Sequence, residues 1–252
     1  MSEEWDFYLC NVDSKPASIY LNLQAASDAA VAQNPFLAYV RIYMRNPRED
    51  GLSSQEEFDQ LIVIEDALIE RLAATKLATY VGRITADGCR DLYFYAPKEQ
   101  GIDPNVRAAI KAFADYDFEV GTRAEADWDT YVNFLYPTPE DYQGMQNRRV
   151  CQALEEAGDA FTTERPIEHW VYFPNKETQQ HFISKAVELG YTFDGAYEPT
   201  DEDTRYCVRL SCNGIPSFAN IDGLTVPLFR LAQECGGDYD GWETQVVNVA
   251  QR

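Results

Sequence analysis

Two clusters in this sequence combine residue types suited to recognition. In Tyr239-Asp240-Gly241-Trp242 two amphipathic rings flank an Asp-Gly pair. Glycine tolerates positive φ, so Asp240-Gly241 reads as a tight turn presenting Tyr239 and Trp242 to a partner. Rings of this kind are enriched at binding hot spots. The same residues also fit a structural role, with Trp242 packed on a helix and Asp240 capping the turn. The second cluster is Asp201-Glu202-Asp203, with Asp194 and Glu198 nearby. Held close together, such carboxylates would need a cation or a partner's arginines; spread over a hairpin tip, they need only water. A third segment, His169-Trp170, opens an alternating stretch in which Trp170 and Tyr172 share one face and Val171 and Phe173 the other. An exposed pair of rings there would imitate a base-stacking sheet. However, Arg205-Tyr206-Cys207-Val208-Arg209 lacks the paired aromatics and glycine of RNA-recognition domains, so core or interface is the expectation.

Catalytic constellations are harder to find. The sequence contains no G-x-S-x-G, G-x-G-x-x-G, G-x-x-x-x-G-K or H-E-x-x-H. Carboxylates are plentiful, but abundance alone does not locate a general acid and base. The six cysteines, at 10, 89, 151, 207, 212 and 235, form no C-x-x-C pair, and neither His169 nor His181 stands at zinc-finger spacing from one. The expectation is a non-enzymatic protein with free thiols and with neither cofactor nor metal.

Charge narrows the partners. The 252-residue chain carries a formal net charge of −21, and both parts either side of residue 144 are acidic. Such a field repels phosphate backbones and anionic lipid and attracts basic surfaces. The alternative is an acidic surface serving solubility alone. No run approaches the ~20 apolar residues of a membrane helix. Met1-Ser2-Glu3-Glu4-Trp5 is acidic where a secretion signal would be basic and then apolar. A cytoplasmic protein with no membrane or direct nucleic-acid role is expected.

The elements that must position these residues follow from periodicity and punctuation. Trp5–Val12 and Ala17–Leu23 flank the turn-forming Asp13-Ser14-Lys15-Pro16, and Phe36–Arg45 is a third strand. Ser53 and Glu56 have capping-box spacing ahead of a helix carrying Phe58, Leu61, Ile62, Ile64, Leu68 and Leu72. Strands at Leu77–Thr85 and Asp91–Ala96 join across Asp87-Gly88. Asp103-Pro104 opens a second helix, as N-cap and first turn, and strands at Phe118–Thr122 and Tyr131–Tyr136 follow. Pro137-Thr138-Pro139 sets a boundary, giving domains 1–138 and 139–252.

Beyond a polar helix at Pro139–Ala157, the order repeats. Ile167–Phe173 is a strand and Lys176–Leu189 a helix with Phe182, Ile183, Ala186, Val187 and Leu189 inward, stopped by Gly190. Strands Tyr191–Tyr197 and Arg205–Leu210 come next. A helix then starts near Leu224, because Gly223 and Pro227 disfavour an earlier start, and Trp242–Val249 is the last strand. The expected class is α+β: two ferredoxin-like β-α-β-β-α-β domains with antiparallel sheets, the first with extra strands. Trp128-Asp129-Thr130-Tyr131-Val132 matches Trp242-Glu243-Thr244-Gln245-Val246, suggesting a duplicated plan.

Arg148–Gly158, Arg165–Phe173, Leu189-Gly190-Tyr191 and above all Gly237-Asp238-Tyr239-Asp240-Gly241-Trp242-Glu243 resemble the regulator of ribonuclease activity B family, protein inhibitors of ribonuclease E. The likeness spans about residues 145–250. Trp5-Asp6-Phe7-Tyr8 and the strand pattern after it resemble a bacterial domain family of unknown function often fused to such a domain. The resemblance implies an acidic protein that binds the endoribonuclease and modulates RNA decay without cleaving RNA. On that reading Tyr239, Asp240, Gly241, Trp242, Asp201, Glu202 and Asp203 contact a basic protein surface, with ribonuclease E the candidate partner. The competing expectation is a small-molecule sensor with a ligand cleft between the domains.

Overall fold

The computed structural model describes residues 3–201 and 203–248. The chain falls into two compact units that part between Pro137 and Thr138. Each is α+β and ferredoxin-like.

The first unit runs β1 (Trp5–Val12), β2 (Lys15–Asn22), α1 (Asp28–Gln33), β3 (Phe36–Tyr43), α2 (Gln55–Ala74), β4 (Thr79–Ala86), β5 (Cys89–Ala96), α3 (Ile102–Ile110) and β6 (Phe118–Ala124). Its antiparallel sheet has the order β1-β2-β4-β5-β3-β6, so the β1–β2 hairpin extends a ferredoxin-like core of β3 to β6. Leu61, Ile64 and Leu68 of α2 and Ile102 and Val106 of α3 pack with Val40, Ile42, Leu92 and Phe94 of the sheet. Two hairpins close on two-residue turns with both φ angles positive, Asp13-Ser14 and Asp87-Gly88. The first turn is therefore shorter than the expected tetrapeptide. Lys15 and Pro16 belong to β2, where Pro16 is tolerated because pairing with β4 begins only at Ala17.

Local capping departs from expectation in two places. Ser54, not Ser53, caps α2, accepting from Glu57 N at 3.3 Å. The Glu57 carboxylate accepts instead from the amides of Arg45 and Asn46 at 2.7 and 2.8 Å, pinning the chain after β3. Gly101 rather than Asp103 caps α3, and Asp103 pairs with Arg107 one turn on.

The expected strand at Tyr131–Tyr136 is a π-helical turn, Thr130–Leu135. Its aromatic-rich composition is that of a strand, but Tyr131 and Leu135 are buried while Val132 and Phe134 are exposed, the i, i+4 pattern of a helix. Glu125 anchors its start, accepting from Thr130 N and Thr130 Oγ1 at 2.9 Å and from Arg123. Trp128, at φ +55°, stacks on Tyr95 at 3.8 Å between ring centroids.

The second unit runs α4 (Pro139–Glu156), β7 (Arg165–Phe173), α5 (Lys176–Glu188), β8 (Thr192–Tyr197), β9 (Tyr206–Gly214), α6 (Ile221–Glu234) and β10 (Asp238–Glu243). Its sheet order, β10-β7-β9-β8, is the ferredoxin-like one, and β10 is an edge. Thr138 and Asp141 form a capping box at the start of α4. On α5 the inward face is Gln179, Phe182 and Ala186; Val187 and Leu189, expected inside, are 49% and 57% exposed. Val187 is turned about 100° from Ala186, off the buried stripe, and Leu189 lies past the last helical residue, as the C-cap of α5.

The second helix starts three residues earlier than Leu224 and accommodates Pro227 inside it. The last strand is earlier than Trp242–Val249: it begins at Asp238, and Val249 lies outside the described residues. Trp128 and Trp242 therefore occupy different elements, and their shared triplet is not a repeated strand.

Candidate docking site on the second unit

The Tyr-Asp-Gly-Trp segment is not a turn that displays its rings. It lies within β10, and Tyr239 and Trp242 are each only 7% exposed. Two residues three apart on a strand would ordinarily face opposite sides. Here Tyr239 pairs with Val171 and Gly241 with Trp170, so Asp240 is an extra, bulged residue. The bulge restores the parity and turns both rings into the core. Glycine is needed at 241, where φ is +138°.

Each ring has a polar anchor. Trp242 Nε1 donates to Asn147 Oδ1 at 2.9 Å. Asn147 is fully buried in α4; its Oδ1 also accepts from Gln143 Nε2 at 3.0 Å, and its Nδ2 donates to Asp222 and Thr225 of α6, both at 2.7 Å. A fully satisfied buried amide fixes its neighbours strongly, since losing one partner strands several others. Tyr239 Oη lies 2.8 Å from His169 Nδ1, and His169 Nε2 lies 3.4 Å from Cys212 Sγ. Burial pushes His169 down to about 4, pushes Cys212 up to about 11, and raises Tyr239 well above its usual range. The trio is held uncharged at neutral pH, unlike a thiolate–imidazolium pair poised for nucleophilic attack. All six cysteines are free. Among the described residues no group of three or more His, Cys, Asp or Glu is placed to hold a metal ion. No helix there is long and apolar enough to cross a membrane.

With the rings inside, the outward side of β10 carries Asp238, Asp240 and Glu243, all exposed. They border a groove of about 700 Å³ between β10 and the ends of α4 and α6. Pro139, Tyr142, Gln146 and Val150 of α4 form one wall, Phe229 and Gln233 of α6 another, and Trp170 closes the β7 side. Tyr239 and Trp242 contribute floor rather than rim. Trp170 Nε1 donates to Glu243 at 3.3 Å, and its ring is 5.7 Å from the Arg209 guanidinium.

The acidic loop divides. Asp203 accepts from Arg205 N, Nε and Nη2 at 2.9, 3.0 and 2.9 Å, and this arginine holds its carboxyl below the usual range. Arg205 also reaches Asp238 at 3.1 Å, tying loop and β10 together. Asp203 is thus occupied within the chain; Asp201 is exposed, and Glu202 lies outside the described residues. Sequence reading missed Asn147, Tyr142 and Gln146. They sit on a helix polar enough that nothing marks its inner face.

The sequence profile of a family of unknown function, DUF695, matches residues 3–136, from before β1 to the end of the π-helical turn. The chain belongs to the DUF695 family. Beyond the DUF695 unit, the profile Regulator of ribonuclease activity B matches residues 145–244. That span holds β10 and most of the groove. No curated protein matches this DUF695 chain significantly. Among solved structures, an unknown protein from Galdieria sulphuraria shares 13% identity, covering 84% of this chain and 99% of its own, at a TM-score of 0.23. A candidate glycine cleavage system transcriptional repressor shares 8%, covering 83% and 98%, at a TM-score of 0.21.

Proposed function

We propose that this is an acidic, non-catalytic regulator whose second unit docks a basic segment of a protein partner, with ribonuclease E as the candidate. The observation carrying this reading is the charge of the groove: three carboxylates and, among its lining residues, neither lysine nor arginine. The chain's net charge of −21 supports it, as does the ribonuclease-regulator profile over the same residues. In this reading the carboxylates speed encounter, and Tyr142, Trp170 and Phe229 supply short-range contact. Tyr239 and Trp242 hold the floor beneath them. Occupancy of the basic segment then excludes RNA or scaffold partners from it. Cytoplasmic residence goes with that role.

Binding of ribonuclease E to the full chain, measured at about 0.1 M and 1 M salt, tests the reading. Binding at low salt that weakens at high salt is expected. No binding at either by folded protein rejects ribonuclease E as the target. Salt-independent binding rejects the electrostatic basis.

A further inference from the structure

We infer that the docked segment binds as an extended strand added to the outer edge of β10, with cationic side chains at alternate positions. This deepens the docking reading and rests on it. β10 pairs on one side with β7 and ends the sheet on the other, so its outward backbone groups form a template for one more strand. The groove of about 700 Å³ runs along that edge, between the strand and α4.

The register of the bulge then dictates the side-chain pattern. Because Asp240 is extra, Asp238, the Asp240-Gly241 pair and Glu243 occupy successive outward positions, with Tyr239 and Trp242 inward between them. The three carboxylates therefore repeat with the period of a strand, not a helix. An extended partner with Lys or Arg at i, i+2 and i+4 meets all three, sharing the exposed Asp238 with Arg205, whereas helical spacing does not. The same charges select the occupant by exclusion. A second copy of this chain would bring Asp238, Asp240 and Glu243 against themselves, while a cationic strand removes that repulsion. The edge is thus guarded against self-association and open to a basic segment.

Three synthetic peptides of about eight residues would be titrated against the full chain: arginine at alternate positions, the same composition with helical spacing, and the alternating peptide N-methylated on alternate amides. The alternating peptide is expected to bind at least about tenfold more tightly than either control. Binding should protect the amides of residues 239–243 from hydrogen exchange. The combined Asp238→Asn, Asp240→Asn, Glu243→Gln variant is expected to lose about tenfold in affinity with circular dichroism unchanged. Equal binding of the N-methylated peptide, or of the helically spaced one, overturns strand addition. If ribonuclease E binds but the alternating peptide does not compete, the docking mode fails and the regulatory reading stands. If the peptide binds and ribonuclease E does not, the edge site stands and the named target fails.

Discussion

Trp128 and Trp242 each head a Trp-acid-Thr triplet, each is nearly buried, and each donates its indole N–H at 2.9 Å, yet one precedes a π-helical turn and the other lies inside a strand. The difference lies in what receives them. Trp128 donates to the backbone carbonyl of Asn34 and lies flat on Tyr95; the following Thr130 gives both its N–H and its hydroxyl to the buried Glu125. Trp242 donates to the side chain of Asn147, and Thr244 Oγ1 donates to Pro166 O of β7 at 2.7 Å, keeping its segment beside the sheet. A short local pattern sets what a segment offers. Its distant acceptors decide the conformation in which the offer is taken up.

Substitutions at four positions sharpen or break this comparison. Trp128→Ala and Trp242→Ala are each expected to cost about 3–5 kcal/mol. Hydrogen exchange on β5 and β7 separately would show each loss confined to its own unit. Loss of protection in the other unit breaks the comparison. Asn147→Ala strands the Trp242 indole together with groups on α4 and α6, and is expected to cost about 2–4 kcal/mol. Asn34→Ala keeps the carbonyl that Trp128 uses and loses only the cap from Asn34 Nδ2 to Ala30 O, so about 1 kcal/mol or less is expected. Similar costs for the two would mean that side-chain and backbone acceptors are equivalent here.

A smaller effect tests the Tyr239 side of β10. His169 is held near 4 in the fold against an ordinary 6.5, so the unfolded chain takes up a proton that the folded chain refuses. Its contribution is constant above about pH 6.5 and is lost as pH falls towards 4, amounting to about 2 kcal/mol by pH 5. Because other groups also titrate there, the measurement is the difference between wild type and His169→Gln in urea midpoint across pH 7 to 5. Parallel curves would refute it. The smallest effect is expected for Asp203→Asn: Arg205 retains Asp238, so neither the unfolding midpoint nor partner binding should move.

Element order was readable because its signals are local: the Asp87-Gly88 turn, the apolar periodicity of α2, the stop at Gly190. Tyr131–Tyr136 misled because it is crowded with the aromatic residues strands favour, while the Glu125 that starts the π-helical turn acts through a fold not visible in a window of six residues. The Tyr-Asp-Gly-Trp site was half legible. Its residues border the groove, but their orientation depends on register against β7, a long-range property. Asn147 could not be singled out, since a buried hub in a polar helix has the same composition as a solvated one.

The spare residue in β10 also governs how this strand tolerates changes in length. Removing Asp240 would leave Tyr239, Gly241 and Trp242 pointing in, out and in along a regular ribbon, at the cost of one carboxylate. Adding a residue between Gly241 and Trp242 would swing the indole out into water and vacate its seat on Asn147. For the packing beneath this edge, loss of Asp240 is benign and a residue added before Trp242 is ruinous.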